Sequence, residues 1–249
     1  MGRRLLTMII GLLGLQVLLF APLPAAWAAD GWLTERLEAW PNWQLPAPLP
    51  RPRAQQDLVY PTWFEGTWRV ESTDLEDDST LDHLARFGTT STSRGAVVGD
   101  RKFNARAIGS AVLGDQLLAV EQAPGQVNRQ LARLSNDRQL ETTVIGRRES
   151  PLDQPTFVSD ELVLQILHGP GAPRISRIET LSRYERCDDG ICAEQWQARY
   201  SPPGEDITAA PLHLSHYRLT LKRQPDPTAS TAFPADRASG TKAASGGDH

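Results

Sequence analysis

From Leu58 to Arg223 the chain alternates apolar and polar residues with a period of two, in short runs separated by glycine, proline and Asp/Asn positions. That period, which holds over most of the stretch, sends successive side chains to opposite faces of a strand, so the stretch reads as β-sheet. Strands are expected near residues 66–72, 94–98, 102–108, 116–122, 126–134, 139–147, 156–167, 174–186, 191–200 and 213–223, with 81–87 as the one helical turn between them. No internal repeat of fixed period is present, which excludes a propeller or solenoid. The expectation is an all-β antiparallel domain over residues 58–223. A barrel of about eight to ten strands is preferred to a β-sandwich, because neighbouring hairpins follow one another and closure removes exposed edges.

The flanks have a different character. Met1-Gly2-Arg3-Arg4 precedes an apolar run from Leu5 to Phe20, and Ala26-Trp27-Ala28 follows, which reads as a secretory signal peptide over residues 1–28. Pro22 and Pro24 weigh against a membrane-spanning helix. The residues that flank the arginine pair in twin-arginine signals are absent, so general secretion is expected. Residues 29–57 form a Trp/Pro-rich arm. Leu33, Leu37 and Trp40 recur at helical spacing, and Pro46, Pro48, Pro50 and Pro52 impose an extended path. Trp32, Trp40 and Trp43 are expected to pack on the barrel, with a partner surface as the alternative. Residues 224–249, rich in Pro, Ala, Ser, Thr and Gly, are expected to be disordered.

An exported chain meets an oxidising compartment, so its two cysteines, Cys187 and Cys192, should pair. Asp189-Gly190 between them reads as a type I′ hairpin turn, which would place the cysteines directly opposite each other. The loop so closed is short and contributes about 2 kcal/mol. Removing Arg3 and Arg4 with the leader takes the formal charge from −4 to −6. An acidic chain without a basic stripe does not suit nucleic acid.

No histidine is grouped with Cys or carboxylates at metal-ligand spacing, and there is no nucleophile elbow, phosphate-cradling loop or zinc-protease helix. Asp74-Leu75-Glu76-Asp77-Asp78 lacks the glycine and terminal glutamate of a calcium loop and reads as a solvated connection. No catalytic residue, metal or cofactor is therefore assigned. The hairpin around the cysteines carries polar residues on both faces, which a solid core tolerates only when each finds a partner. Either those residues face solvent, or Arg147, Glu161, Gln165, Tyr184, Gln195 and Trp196 form a mixed wall for a ligand with an anionic or carbonyl group. A slip of one residue would exchange the faces.

Tyr60-Pro61-Thr62-Trp63-Phe64-Glu65-Gly66-Thr67-Trp68-Arg69-Val70 resembles the first strand of lipocalins and fatty-acid-binding proteins. The resemblance implies a lipocalin-like barrel in which Gly66 and Trp68 are structural and a late arginine, Arg218 or Arg223, packs across Trp68. A wider pattern is similar to an uncharacterised family of exported cyanobacterial and chloroplast-lumen proteins. It consists of Asp57-Leu58-Val59-Tyr60-Pro61-x-Trp63-Phe64-x-Gly66-x-Trp68, Gly146-Arg147-Arg148 and Phe157-x-Ser159-x-Glu161. That resemblance implies the thylakoid lumen or periplasm and supplies no activity. Phycobiliprotein lyases share the Gly-x-Trp but act in the cytoplasm, against which the leader counts. The leading expectation is a non-enzymatic, exported barrel that binds a small amphipathic or hydrophobic ligand such as a pigment, lipid or quinone. The alternatives are an accessory factor docking on a membrane protein complex through its tryptophan arm, and an isomerase or lyase working in a barrel pocket.

Overall fold

The computed structural model describes residues 25–90, 93–204 and 210–225, with side chains from Gly31 onward. The expected leader lies outside these residues up to Pro24, and the expected tail from residue 226. Helix α1 (Ala25–Glu38) leads into the arm, followed by β1 (Val59–Tyr60), a 3₁₀ turn at Thr62–Phe64 and β2 (Gly66–Asp74). Next come β3 (Thr80–Thr89), β4 (Val97–Gly99), helix α2 (Arg101–Leu113), β5 (Leu117–Gln122) and β6 (Arg129–Leu134). The long strands β7 (Arg138–Glu149), β8 (Thr156–His168), β9 (Arg174–Cys187), β10 (Gly190–Tyr200) and β11 (His213–Arg223) complete the chain.

All eleven strands belong to one antiparallel sheet in the order β1-β4-β3-β2-β11-β10-β9-β8-β7-β6-β5, curled into a half-barrel. The expected all-β antiparallel architecture is present, with eleven strands rather than eight to ten. The end strands β1 and β5 do not pair with each other. Helix α2 instead packs against both β3 and β5 and bridges the two limbs.

Two elements differ from the sequence expectation. Residues 81–87, expected as a helical turn, lie in β3, and residues 102–108, expected as a strand, lie in α2. In β3 the alternation Leu81, His83, Ala85 and Phe87 is real, and pairing with β2 and β4 on either side outweighs the Leu81/Leu84 helical spacing. Helix α2 has no fully buried residue. It is fixed at its start: Asp100 caps the Phe103 amide, and Asn104 exchanges hydrogen bonds of 2.7 and 3.1 Å with the Arg86 backbone.

The cysteines pair as expected, with Cα atoms 5.8 Å apart. The hairpin register, however, is shifted by two residues. Cys187 lies opposite Gly190 and Cys192 opposite Glu185, so Asp188-Asp189 form the turn and neither has positive φ. Gly190 (φ +153°) serves the sheet rather than the turn, because a Cβ there would overlap the Leu221 carbonyl oxygen. A shift of two leaves every side chain on its face.

Trp68 packs at one end of the concave core and forms a closure there with Phe64 and Arg223. Its indole N–H donates to the Phe64 carbonyl at 2.6 Å, and the Arg223 guanidinium lies 4.8 Å above its ring, which decides between Arg223 and Arg218. Gly66 makes this possible: its φ is +122°, and a Cβ would stand 2.5 Å from an Arg223 nitrogen. Phe64, Phe87, Phe157 and Tyr184 pack around this closure on the concave side.

The arm covers the convex face. Leu33 and Trp43 are buried against Leu181, Trp196, Ala198 and Tyr200, with Trp32 and Trp40 beside them. Glu179, fully buried, receives Arg36 through two bonds of 2.7 and 2.8 Å, the Ala47 amide at 2.9 Å and the Tyr200 hydroxyl at 3.2 Å. Arg36 also lies 4.1 Å over the Trp43 ring, whose N–H donates back to the Arg36 carbonyl. One buried carboxylate thus ties helix α1, the extended arm and two strands together. Asp160, on the same side of β8, is also fully buried, yet neither of its oxygens has a hydrogen-bond partner. Burial, reinforced by Glu179, pushes its carboxyl well above the ordinary range against the pull of Arg36 and Arg148.

Candidate functional site

Strand register stacks the concave side chains in layers. Beside the Trp68 closure, Ile191, Leu221, Val70 and His83 form one row, and Phe157, Tyr184, Ala193, Leu219, Ser72 and Leu81 the next. The following row is Ser159, Ser182, Gln195, Tyr217 and Asp74, and beyond it come Arg147, Glu161, Thr180, Gln197 and Ser215. Apolar character therefore falls steadily from the tryptophan end to the other.

A cavity of about 640 Å³ occupies this gradient between the sheet and helix α2. Val70, Ala85, Phe87, Leu219 and Leu221 form its apolar depth, and Ile108, Ala111 and Val112 of α2 its cover. Tyr184, Gln195, Gln197 and Tyr217 line it from β9, β10 and β11, and Asp74, Ser79 and Thr80 from the β2–β3 turn. His83 also lines it, and its Nδ1 is buried without a partner. Burial lowers the His83 pKa, so the ring is neutral at neutral pH. The Tyr184 hydroxyl is pushed up by burial and stays protonated, a hydrogen-bond donor rather than a base. Among the described residues, no lysine or arginine lines the cavity.

The six candidate wall residues separate. Tyr184 and Gln195 meet in the cavity. Trp196, next in sequence to Gln195, points to the convex face and stacks on His216 with ring centroids 5.0 Å apart. Gln165 lies two register steps along β8 from Val163, opposite Thr142 and Ser176, and does not line the cavity. Arg147 and Glu161 join an ion cluster at the seam between the limbs. Arg147 donates to Glu161 (2.7 Å), the Gln56 carbonyl (2.8 Å) and Asn128 (2.7 Å). Arg101, from the first turn of α2, bonds Asp57 at 2.6 Å and reaches Glu161 at 3.3 Å. Burial pushes the Glu161 carboxyl up, but Arg101 and Arg147 outweigh it and hold the pKa below its ordinary value. Asn128 donates to the Arg53 and Gln56 carbonyls, both at 3.0 Å. With Arg101 and Arg147 both engaged by carboxylates, this cluster ties α2 and the Asp57 stretch to β7 and β8 rather than offering a free charge.

Residues that sequence reasoning passed over are Val70, Ser72, Asp74 and His83. The alternation in β2 carried a signal for three of them, since they share a face with Trp68. Among the described residues no group of His, Cys, Asp and Glu converges to hold a metal ion, and no helix is long and apolar enough to cross a membrane.

A family model described as a domain of unknown function, DUF6816, matches residues 74–225, more than half of the chain. The chain belongs to that family. No curated protein and no solved structure matches it. The DUF6816 match runs from the cavity's acidic turn through β11, and leaves the arm, β1 and most of β2 outside it.

Proposed function

We propose that this DUF6816 protein binds a small amphipathic molecule, of the size of a pigment, lipid or quinone fragment, in the concave cavity, and holds it without altering it. The observation that carries the reading is the cavity of about 640 Å³ with an apolar depth and a polar end, set on a continuous sheet. Its volume falls among those of small-molecule sites, roughly 300–1,000 Å³. Tyr184 and His83, whose Nδ1 is buried without a partner, supply hydrogen-bonding groups on the cavity wall. Export to the periplasm or thylakoid lumen belongs to the same proposal, and the Cys187–Cys192 disulfide supports an oxidising compartment.

Native mass spectrometry of the protein isolated from its own source tests the reading. A non-covalent small-molecule adduct is expected, and Ser72→Phe, which grows a ring from the β2 wall into the cavity, should lose it while leaving the circular dichroism spectrum unchanged. An adduct-free wild-type protein, or an adduct indifferent to Ser72→Phe, would refute it.

A further inference from the structure

The acidic run after β2, which the sequence presents as a solvated connection, sits at the polar end of the cavity. Asp74, Ser79 and Thr80 line the space directly, and Glu76, Asp77 and Asp78 complete the turn between them. The turn is held in shape by its own carboxylates. Asp74 accepts from the Glu76 amide and Asp77 from the Ser79 amide, each at 2.9 Å. Asp74 is the one carboxylate of the run that lines the cavity, and Glu76, Asp77 and Asp78 are exposed beside it. The Ser79 hydrogen bonds lower the Asp77 pKa, so that group remains ionised at neutral pH.

Nothing positive answers them from the walls. Arg101 and Arg147 are engaged by Asp57 and Glu161, Arg223 lies over Trp68, and Arg86 is paired with Asp100. Arg218, opposite Thr73 in register, projects from the convex face. The uncharged groups at the same end, Gln195, Gln197 and Tyr217, can accept as well as donate hydrogen bonds. Low-dielectric walls focus the field of a single-sign rim, so an anionic head would meet repulsion where it has to settle.

We infer that the cavity selects amphipathic molecules whose head group donates hydrogen bonds and carries no negative charge, a hydroxyl or amine head, and rejects carboxylate heads. The inference rests on the cavity being a binding site, as proposed above. It assigns the apolar depth to the tail and the Asp74 end to the head. It also gives the acidic turn a role in specificity.

Isothermal titration calorimetry with decanol, decylamine and decanoate, which share one tail, tests it on the wild-type protein and on Ser72→Phe. Decanol and decylamine should bind the wild type and lose binding in Ser72→Phe, with decanoate weaker by about tenfold or more at low salt. In the variant Asp74→Asn/Glu76→Gln/Asp77→Asn/Asp78→Asn that gap should close. Asparagine keeps the Asp74 acceptor, and at position 78 it tolerates the φ of +59°. Decanoate binding as tightly as decanol, or a gap that survives neutralisation of the turn, would overturn the head-group inference and leave the binding site standing. No binding of any of the three, or binding unaffected by Ser72→Phe, would remove both.

Discussion

Replacing Arg36 with alanine removes the cation from a carboxylate that has no access to water. Glu179 is fully buried, while the Arg36 side chain is 12 % exposed. Breaking a buried ion pair from one side costs about 3–5 kcal/mol, because the remaining charge stays desolvated. Glu179 keeps the Ala47 amide and the Tyr200 hydroxyl, and the gap left by Arg36 opens toward solvent, which places the expected loss at the lower end, about 3 kcal/mol. In a chain of this size that corresponds to a fall in Tm of roughly 6–12 °C. Urea denaturation followed in parallel by tryptophan fluorescence and far-ultraviolet circular dichroism measures it. Trp32, Trp40, Trp43 and Trp196 all sit at this interface, so fluorescence should change first as the arm leaves the sheet. The double replacement Arg36→Met/Glu179→Leu removes both charges and should recover much of the loss. An Arg36→Ala protein within about 0.5 kcal/mol of wild type, or a double variant no more stable than Arg36→Ala, would refute the view that this pair holds the arm in place.

Asp160 gives a pH dependence of known sign. Its folded-state pKa is raised, so its contribution is intact below the unfolded value near pH 4 and is lost as pH climbs toward the folded value, by up to about 1.4 kcal/mol per pH unit. Equilibrium unfolding across that range should show Asp160→Asn with a shallower decline than wild type, and identical slopes would contradict the assignment. Gly66→Ala places a Cβ against Arg223 at a backbone angle that costs about 1–3 kcal/mol, so thermal melts should show that loss even in an Arg223→Ala background, where the collision is gone but the strain remains.

Much of the sheet is legible because a period of two survives in a single sequence: β5 to β11 fall within a few residues of their expected positions. The interchange of strand and helix at residues 81–87 and 102–108 has a local cause. Leu81 and Leu84 offer a helical spacing that pairing overrides, and α2, with no fully buried residue, has only the Asp100 cap to announce it. In the site, Tyr184 and Gln195 could be reached from strand faces, but neighbours such as Gln195 and Trp196 point to opposite sides, and only the fold chooses between them. Arg147 and Glu161 looked available because the groups that occupy them, Asp57, Arg101 and Asn128, come from distant stretches of chain.

The tie between Arg36 and Glu179 has a consequence for how the molecule is assembled. These residues are 143 positions apart, and β2 meets β11 over a similar span, with Trp68 opposite Arg223. Contacts this far apart must close long loops before they return any stabilisation, which slows folding. The tryptophans of the arm leave the ribosome early and find their seat only once β9 to β11 exist. Until then they form an unsheltered oily ribbon, and a holding chaperone, or passage through a narrow channel before the sheet forms, would guard the chain during that interval.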